Sequence, residues 1–301
     1  MIEISHLVKK YGDHYAVKDL NVRIEEGQIY GFLGPNGAGK STTMNMITGY
    51  LAPTAGTVKV DGFDIVKEPE KAKEHIGYLP EIPPLYSEMT VEEYLKFAAE
   101  LKRIPGKERA AQIEKAIKTA QLEDVRKRLI NNLSKGYKQR VGLAQAALGD
   151  PETIILDEPT VGLDPRQMIE MRELIRSLKK DHTVILSSHI LSEVSAVCDQ
   201  ILIISKGELV ASDTPDGLQA KLKGAGELEL CVKGTAAQLK TLLSNLNGVE
   251  SFTTTEAEDG TVLAQVSAIS ASRCFMSWQR IGCPCLAWRK RRDRWRISSC
   301  S

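Results

Sequence analysis

Three short segments carry residues whose types and spacing can do chemistry. The first is Gly34-Pro35-Asn36-Gly37-Ala38-Gly39-Lys40-Ser41, with Thr42 behind it, which fits the spacing G-x-x-x-x-G-K-S/T. A phosphate needs many donors at short range, and glycines let successive backbone N–H groups turn toward one anion. A helix starting near Lys40 adds the positive end of its dipole. Lys40 supplies a mobile ammonium for terminal phosphates, and the Ser41 hydroxyl suits a divalent cation. The second segment is Ile154-Ile155-Leu156-Asp157-Glu158-Pro159. Its apolar run delivers two adjacent carboxylates to the end of a strand. Asp157 there can hold a metal, and Glu158 can polarise an attacking water as general base. Two exposed carboxylates capping a loop is the plainer reading of that pair, and the neighbouring phosphate loop argues against it. The third is Leu133-Ser134-Lys135-Gly136-Tyr137-Lys138-Gln139-Arg140, a polar helix start with Ser134 as its N-cap.

The elements that must position these residues follow from periodicity. Ile29 to Leu33 is a strand that enters the glycine-rich turn, and Ser41 to Thr48 is the helix that leaves it. Thr153 to Leu156, Thr183 to Leu186 and Gln200 to Ile204 are unbroken apolar runs. Such runs fit a parallel sheet buried between helices, which makes the main domain α/β. Strand patterns vanish from about residue 90 to 150, where Val91 to Leu101, Lys107 to Leu122 and Lys138 to Leu148 show helical spacing around a Pro105-Gly106 breaker. This segment reads as a helical insertion. Lys223-Gly224-Ala225-Gly226 reads as a linker. After it, Leu228 to Val232, Ala236 to Leu246, Val249 to Glu256 and Thr261 to Val266 read as a small β-α-β-β accessory domain over residues 227–268.

Composition narrows the classes. The chain has 301 residues, is 42% hydrophobic and 26% charged, and has a net charge of +1. It is long enough to bury a sizeable core and is not disordered on average. Its first 269 residues lean acidic, which argues against bulk nucleic-acid binding. No signal peptide opens the chain, and no stretch reaches the roughly 18 apolar residues of a membrane span. A cytoplasmic location is the expectation. Only Cys198 and Cys231 precede residue 270, so no disulfide framework is expected.

The order of motifs resembles the ATP-binding cassette (ABC) ATPases. A phosphate loop is followed by an LSGGQ-like segment, an apolar-D-E-P strand, Gly162-Leu163-Asp164-Pro165, and then Ser187-Ser188-His189. The resemblance covers about residues 1–223 and implies a P-loop NTPase fold that binds ATP and Mg²⁺. In it Gly136 matches the signature, while Lys135 and Tyr137 stand where Gly and Gln are usual. Tyr11 takes the place of the aromatic ring that stacks on adenine. Glu81 stands where a Gln usually senses Mg²⁺; a carboxylate can ligate the ion but cannot donate an amide hydrogen bond. Asp164 matches the dimer-interface loop and His189 the histidine that meets the γ-phosphate. The metal set implied is Ser41, Glu81 and Asp157. The implied mechanism pairs two chains head to tail, with a homodimer expected. ATP then lies between the phosphate loop of one chain and Ser134 and Gly136 of the other. Within the family, Leu79 to Tyr86 and Thr90 to Leu95 resemble ABC-2-type exporter ATPases, including gliding-motility and multidrug types. That implies a separate ABC-2-type transmembrane permease, docking of the chain at the inner face of the membrane, and no nucleic-acid partner. The segment from Tyr86 to Phe97 is either the groove for a permease helix or ordinary core. A soluble cassette ATPase acting on nucleic acid or ribosomes is the alternative, and it usually carries coiled coils or tandem cassettes, which this chain lacks.

Residues 270–301 break from the rest. They hold eight Lys/Arg against one acidic residue, all three tryptophans (Trp278, Trp288, Trp295), and Cys274, Cys283, Cys285 and Cys300. Basic residues interleaved with Trp suit a membrane surface. Cys283 and Cys285 alone make a poor metal site. Translation in a shifted reading frame would also produce such a break, and it predicts an insertion or deletion near codon 270 of the encoding DNA.

Overall fold

The amino-terminal residues fold as antiparallel strands whose apolar–polar alternation is interrupted by register shifts. Strand β1 (Ile2–Tyr11) pairs with β2 (His14–Ile24), turning at Gly12. Next comes β3 (Ile29–Leu33), buried at every residue, and helix α1 (Lys40–Ile47). Strands β4 (Ala55–Val60) and β5 (Phe63–Asp64) complete a four-stranded sheet of order β2-β1-β4-β5. Helix α2 (Pro69–Glu74) leads into β6 (Ile76–Leu79).

The expected helical insertion follows as α3 (Val91–Leu101), α4 (Gly106–Thr119) and α5 (Lys135–Ala147). A capping box fixes the start of α3. Thr90 Oγ1 accepts from the Glu93 amide at 3.3 Å, and Glu93 Oε2 accepts from the Thr90 amide at 2.8 Å. Helix α5 begins three residues earlier than its apolar spacing suggests, because Ser134 caps it by accepting from the Tyr137 amide. The three helices enclose their own core, with Val91, Leu95, Ile117, Leu122 and Val141 fully buried.

Beyond the insertion, β7 (Thr153–Leu156), α6 (Pro165–Leu178), β8 (Thr183–Ser188), α7 (Leu191–Val197), β9 (Gln200–Ser205) and β10 (Glu208–Asp213) alternate, and α8 (Pro215–Gly224) follows. A six-stranded sheet results, of order β10-β9-β3-β8-β7-β6. Every pairing in it is parallel except β9 with β10. Its apolar faces join the antiparallel sheet in one core that includes Leu7, Leu20, Phe32, Met44, Ile155 and Ile185. Gly31 on β3 is dictated by packing, since a Cβ there would lie 2.1 Å from Val194 Cγ1 of α7. No helix among the described residues is long and apolar enough to cross a membrane.

The computed structural model describes residues 1–224, 227–233, 237, 240, 243, 249–256, 261–268, 286–291 and 294–299. They fall into two units, Met1–Pro215 and Asp216–Ser301, so the boundary sits at the start of α8, ahead of the expected linker. In the second unit β11 (Glu227–Lys233), β12 (Val249–Glu256), β13 (Thr261–Ala268), β14 (Leu286–Arg291) and β15 (Arg294–Ser299) form a sheet of order β12-β13-β11-β15-β14. The expected hairpin is present as β12 against β13. Most of the helix expected over residues 236–246 lies outside the described residues, as does most of residues 270–301. The hairpin β14–β15, from that compositionally distinct segment, adds two strands, with β15 running parallel to β11.

Candidate nucleotide-binding site

Three neighbouring parallel strands bring the motifs together. Strands β3, β8 and β7 lie side by side and end at Leu33, Ser188 and Leu156. Each therefore releases its next residues at the same carboxyl edge of the sheet, where open α/β sheets bind ligands. Those residues are Gly34 onward, His189, and the pair Asp157–Glu158. The Gly34 amide, donating to Ser188 O at 3.3 Å, ties two of these loops together.

The phosphate loop depends on glycine at two closely approached positions. Gly39 has φ +105°, and a Cβ there would lie 2.4 Å from Ala16 O; at Gly34 it would lie 2.3 Å from Ile204 O. Lys40 opens α1 and is 5% exposed. Its ammonium donates to Gly34 O at 2.7 Å and Pro35 O at 3.3 Å and lies 3.4 Å from Glu158 Oε1. The loop thus keeps a desolvated cation folded over itself, ready to exchange carbonyl partners for anionic ones.

The carboxylates are held from behind. Asp157 Oδ1 accepts from Ser187 Oγ at 2.6 Å and from Ser41 Oγ at 3.2 Å. Ser187 Oγ in turn accepts from the Glu158 amide at 2.8 Å. Glu158 adopts φ +47°, a left-handed conformation that costs a non-glycine residue on the order of 1–3 kcal/mol. That turn carries its carboxylate between Lys40 and His189, whose Nδ1 lies 3.0 Å from Glu158 Oε2. Asp157 and Glu158 are 5% and 7% exposed. Burial, together with the charge of Asp157, pushes the neighbouring Tyr78 hydroxyl up to about 12.

A cavity of about 540 Å³ opens onto this cluster. Tyr11, Asn36, Gly37, Gly39, Lys40, Ser41, Thr42, Glu81, Glu158 and His189 of the expected site line it, and His14, Ala16 and Val161 join them. Tyr11 stands at the rim, 52% exposed, with Lys9 Nζ 5.2 Å from its ring centre. Glu81 follows β6 and also lines a second, larger groove. Gln139 Nε2 of α5 donates to its carbonyl at 3.5 Å, linking the helical insertion to this loop.

Ser134, Gly136 and Asp164 do not line the cavity, and they sit together elsewhere. Asp164 caps α6 by accepting from the Gln167 amide at 2.9 Å. A Cβ at Gly136 would lie 2.7 Å from Gln167 Oε1, and one at Gly162 would lie 2.2 Å from Lys135 Nζ. The lysine that departs from the glycine pattern thus reaches over to the Gly162–Asp164 turn.

Sequence reasoning passed over Ser187 as an organiser and Glu193 altogether. Glu193, 6% exposed on α7, accepts from Thr160 Oγ1 at 2.8 Å and Ser188 Oγ at 3.1 Å. It bridges the turn after Glu158 to the strand end before His189. An acid on the first helical turn after Ser-Ser-His was the available signal.

The family model described as ABC transporter matches residues 17–161. The bacitracin transport ATP-binding protein BcrA of Bacillus licheniformis is 38% identical over 241 residues, 79% of this chain and 78% of its own length. The linearmycin resistance ATP-binding protein LnrL of Bacillus subtilis is 34% identical over 259 residues, 86% of this chain and 83% of its own. Among solved structures, the dimeric post-hydrolysis state of the ATP-binding cassette MJ0796 bound to ADP and Pi aligns with a TM-score of 0.64 at 27% identity, covering 71% of this chain and 99% of that one. The chain belongs to the ABC transporter ATP-binding proteins and is an ATPase with the P-loop cassette fold.

Proposed function

We propose that the chain powers an ABC-2-type exporter, hydrolysing ATP as one of two nucleotide-binding chains against a separate membrane-embedded permease. The observation that carries the site reading is the convergence of Lys40, Glu158 and His189 on one cavity. In this reading the backbone amides of Gly34 to Thr42 cradle the β- and γ-phosphates and Lys40 leaves its loop carbonyls for them. Tyr11 stacks on the adenine, which any purine face accepts. Glu158 takes the proton of the attacking water, and its backbone turn, fixed by Ser187, aims it. His189 holds Glu158 in place and donates toward the γ-phosphate.

Mg²⁺ fits the donors present. Ser41 Oγ and Asp157 Oδ1 are hard oxygen ligands already 3.2 Å apart, with the Glu81 carboxylate nearby on the cavity wall. When bound it neutralises charge on the phosphate oxygens. Ser134, Gly136 and Asp164 act on the nucleotide of the partner chain, which accounts for their place outside this chain's own cavity.

The permease reading is supported by a groove of about 760 Å³ lined by Tyr50, Tyr78, Ile82, Pro84 and Glu81. Tyr50 and Ile82 are each 83% exposed there. The Tyr86–Phe97 segment, weighed as permease groove or ordinary core, contributes no residue to the lining of that groove. Tyr94 and Leu95 are core, while Tyr86 is 54% exposed and packs edge-on against Phe97 at 5.2 Å. Glu81, lining both groove and cavity, connects a docked helix to the metal ligands. Export fits the bacitracin and linearmycin systems of the two relatives. Pull-down of the tagged chain from native membranes, with mass spectrometry, is expected to recover a multi-span permease. Recovery of ribosomal or nucleic-acid-bound proteins instead would overturn the exporter reading.

A further inference from the structure

A second set of metal-type donors lies outside the nucleotide cavity. Asp61 sits in the turn between β4 and β5, His75 caps the end of α2, and Glu152 precedes β7. One ligand atom from each falls within 4.8 Å of the others. His75 Nδ1 is 2.9 Å from Glu152 Oε2 and 3.8 Å from Asp61 Oδ2. Around a tetrahedral zinc-class ion, ligand bonds of about 2.0–2.2 Å place neighbouring donors about 3.4 Å apart. The two measured spacings bracket that value.

An ordinary hydrogen-bond cluster accounts for only part of this arrangement. Asp61 Oδ1 takes the Met1 ammonium. Asp61 Oδ2 is buried without any hydrogen-bond partner among the described residues. At 3.8 Å the imidazole is too far to serve it. An orphaned buried carboxylate oxygen is costly, and a cation between it and the ring would remove the cost.

The donors are also pre-set. Asp61 is held at φ +48°, and its amide donates to Met1 O at 2.9 Å. The Thr153 amide donates to His75 O at 3.0 Å, which pins α2's end to β7. The His75 ring stacks on Phe63 at 5.5 Å and 23°, fixing its plane. The side chains of Asp61, His75 and Glu152 are 17%, 25% and 55% exposed, so the set opens to solvent on the Glu152 side, where water can complete four-coordination.

We propose that Asp61, His75 and Glu152 form a binding site for a divalent transition cation of the zinc class. One imidazole with two carboxylates favours such an ion over Mg²⁺ or Ca²⁺, which take all-oxygen sets. Binding would staple the β4–β5 turn to the entries of β6 and β7, at a place distinct from the nucleotide cavity.

The test titrates Zn²⁺ into the metal-stripped full chain with a free amino terminus and a histidine-free carboxyl-terminal tag. Excess Mg²⁺ occupies oxygen-only sites throughout. The expected result is one saturable Zn²⁺ per chain and a rise in melting temperature. His75→Gln should weaken binding at least tenfold and abolish that rise, while Asp157→Asn should leave both intact. Glu152→Ala, at an exposed position, repeats the test should His75→Gln not fold. No saturable binding to the parent chain, or binding by the His75 and Glu152 variants as tight as the parent's, overturns the proposal.

Discussion

Ser187→Ala is the sharpest perturbation available, because one fully buried hydroxyl serves both acidic residues of the site. Removing it deletes a 2.6 Å donation to Asp157 Oδ1 and strips the Glu158 amide of its acceptor at 2.8 Å. A hydrogen bond to a charged group contributes about 1.5–3 kcal/mol, and an orphaned buried donor costs about 1–3 kcal/mol. Asp157 keeps Ser41, which softens the first loss. A net destabilisation of about 3 kcal/mol follows, roughly a hundredfold in the folding equilibrium. Activity should fall further than fold. Without its backbone anchor the left-handed Glu158 turn relaxes, and a shift of about 1 Å in a general base costs on the order of a hundredfold in rate. No hydrogen bond joins Ser187 to Lys40 or the phosphate loop among the described residues, so kcat should drop with little change in KM for ATP. Urea unfolding and steady-state ATPase measured on the same preparation check both numbers. Stability within about 0.5 kcal/mol of the parent, the range of an inert surface substitution, with unchanged kcat, would refute the argument that Ser187 organises the acids.

Two further outcomes follow from packing and burial. Gly31→Ala places a methyl 2.1 Å from Val194 Cγ1 and 2.8 Å from Cys198 Sγ, so it should destabilise by about 1–3 kcal/mol or more. Adding Val194→Ala should recover part of that loss in thermal melts, and no recovery would place the strain elsewhere. Lys102 has an exposed stem, but its ammonium turns inward to Ala146 O at 3.2 Å and Leu148 O at 2.6 Å, and burial pulls its pKa down to about 8. An unfolded lysine titrates near about 10.4, so between these values the unfolded chain holds the extra proton. The contribution of this group to stability is full above the unfolded value and is lost as pH falls through about 8. Lys102→Met should flatten the rise of melting temperature with pH across that window; an unchanged slope contradicts the assignment.

Much of the architecture was legible because the relevant strands are unbroken apolar runs. Ile29–Leu33 and Thr153–Leu156 were readable to the residue, since every position in them is buried and no polar alternation blurs their ends. The paired strands β1, β2 and β4 were not. Register shifts after Ile4, Leu7 and Lys9 break the two-residue period on which such a reading depends. The loop residues Gly34 to Thr42, Asp157, Glu158 and His189 could be named from motif order, but their supports could not. Ser187 and Glu193 matter only because β7 and β8 lie side by side, and no local spacing encodes that adjacency. The same holds for Asp61, His75 and Glu152, which lie far apart in the chain. The second unit was half legible, since the hairpin β12–β13 has a turn signal between its strands whereas β14 and β15 carry a basic, Trp-rich sequence unlike a typical sheet strand.

The central claim is that Glu158 is the base of a composite site closed by a second chain. Glu158→Gln keeps the shape of the side chain and its place beside Lys40 and His189, and it removes the proton acceptor. Size-exclusion chromatography of this variant with and without ATP and Mg²⁺, alongside its steady-state ATPase, tests the claim most directly. The account predicts an ATP-dependent shift to dimer with hydrolysis reduced at least a hundredfold, within the range that general-base catalysis contributes. A variant that stays monomeric with ATP bound, or that turns over at the parent rate, would contradict it.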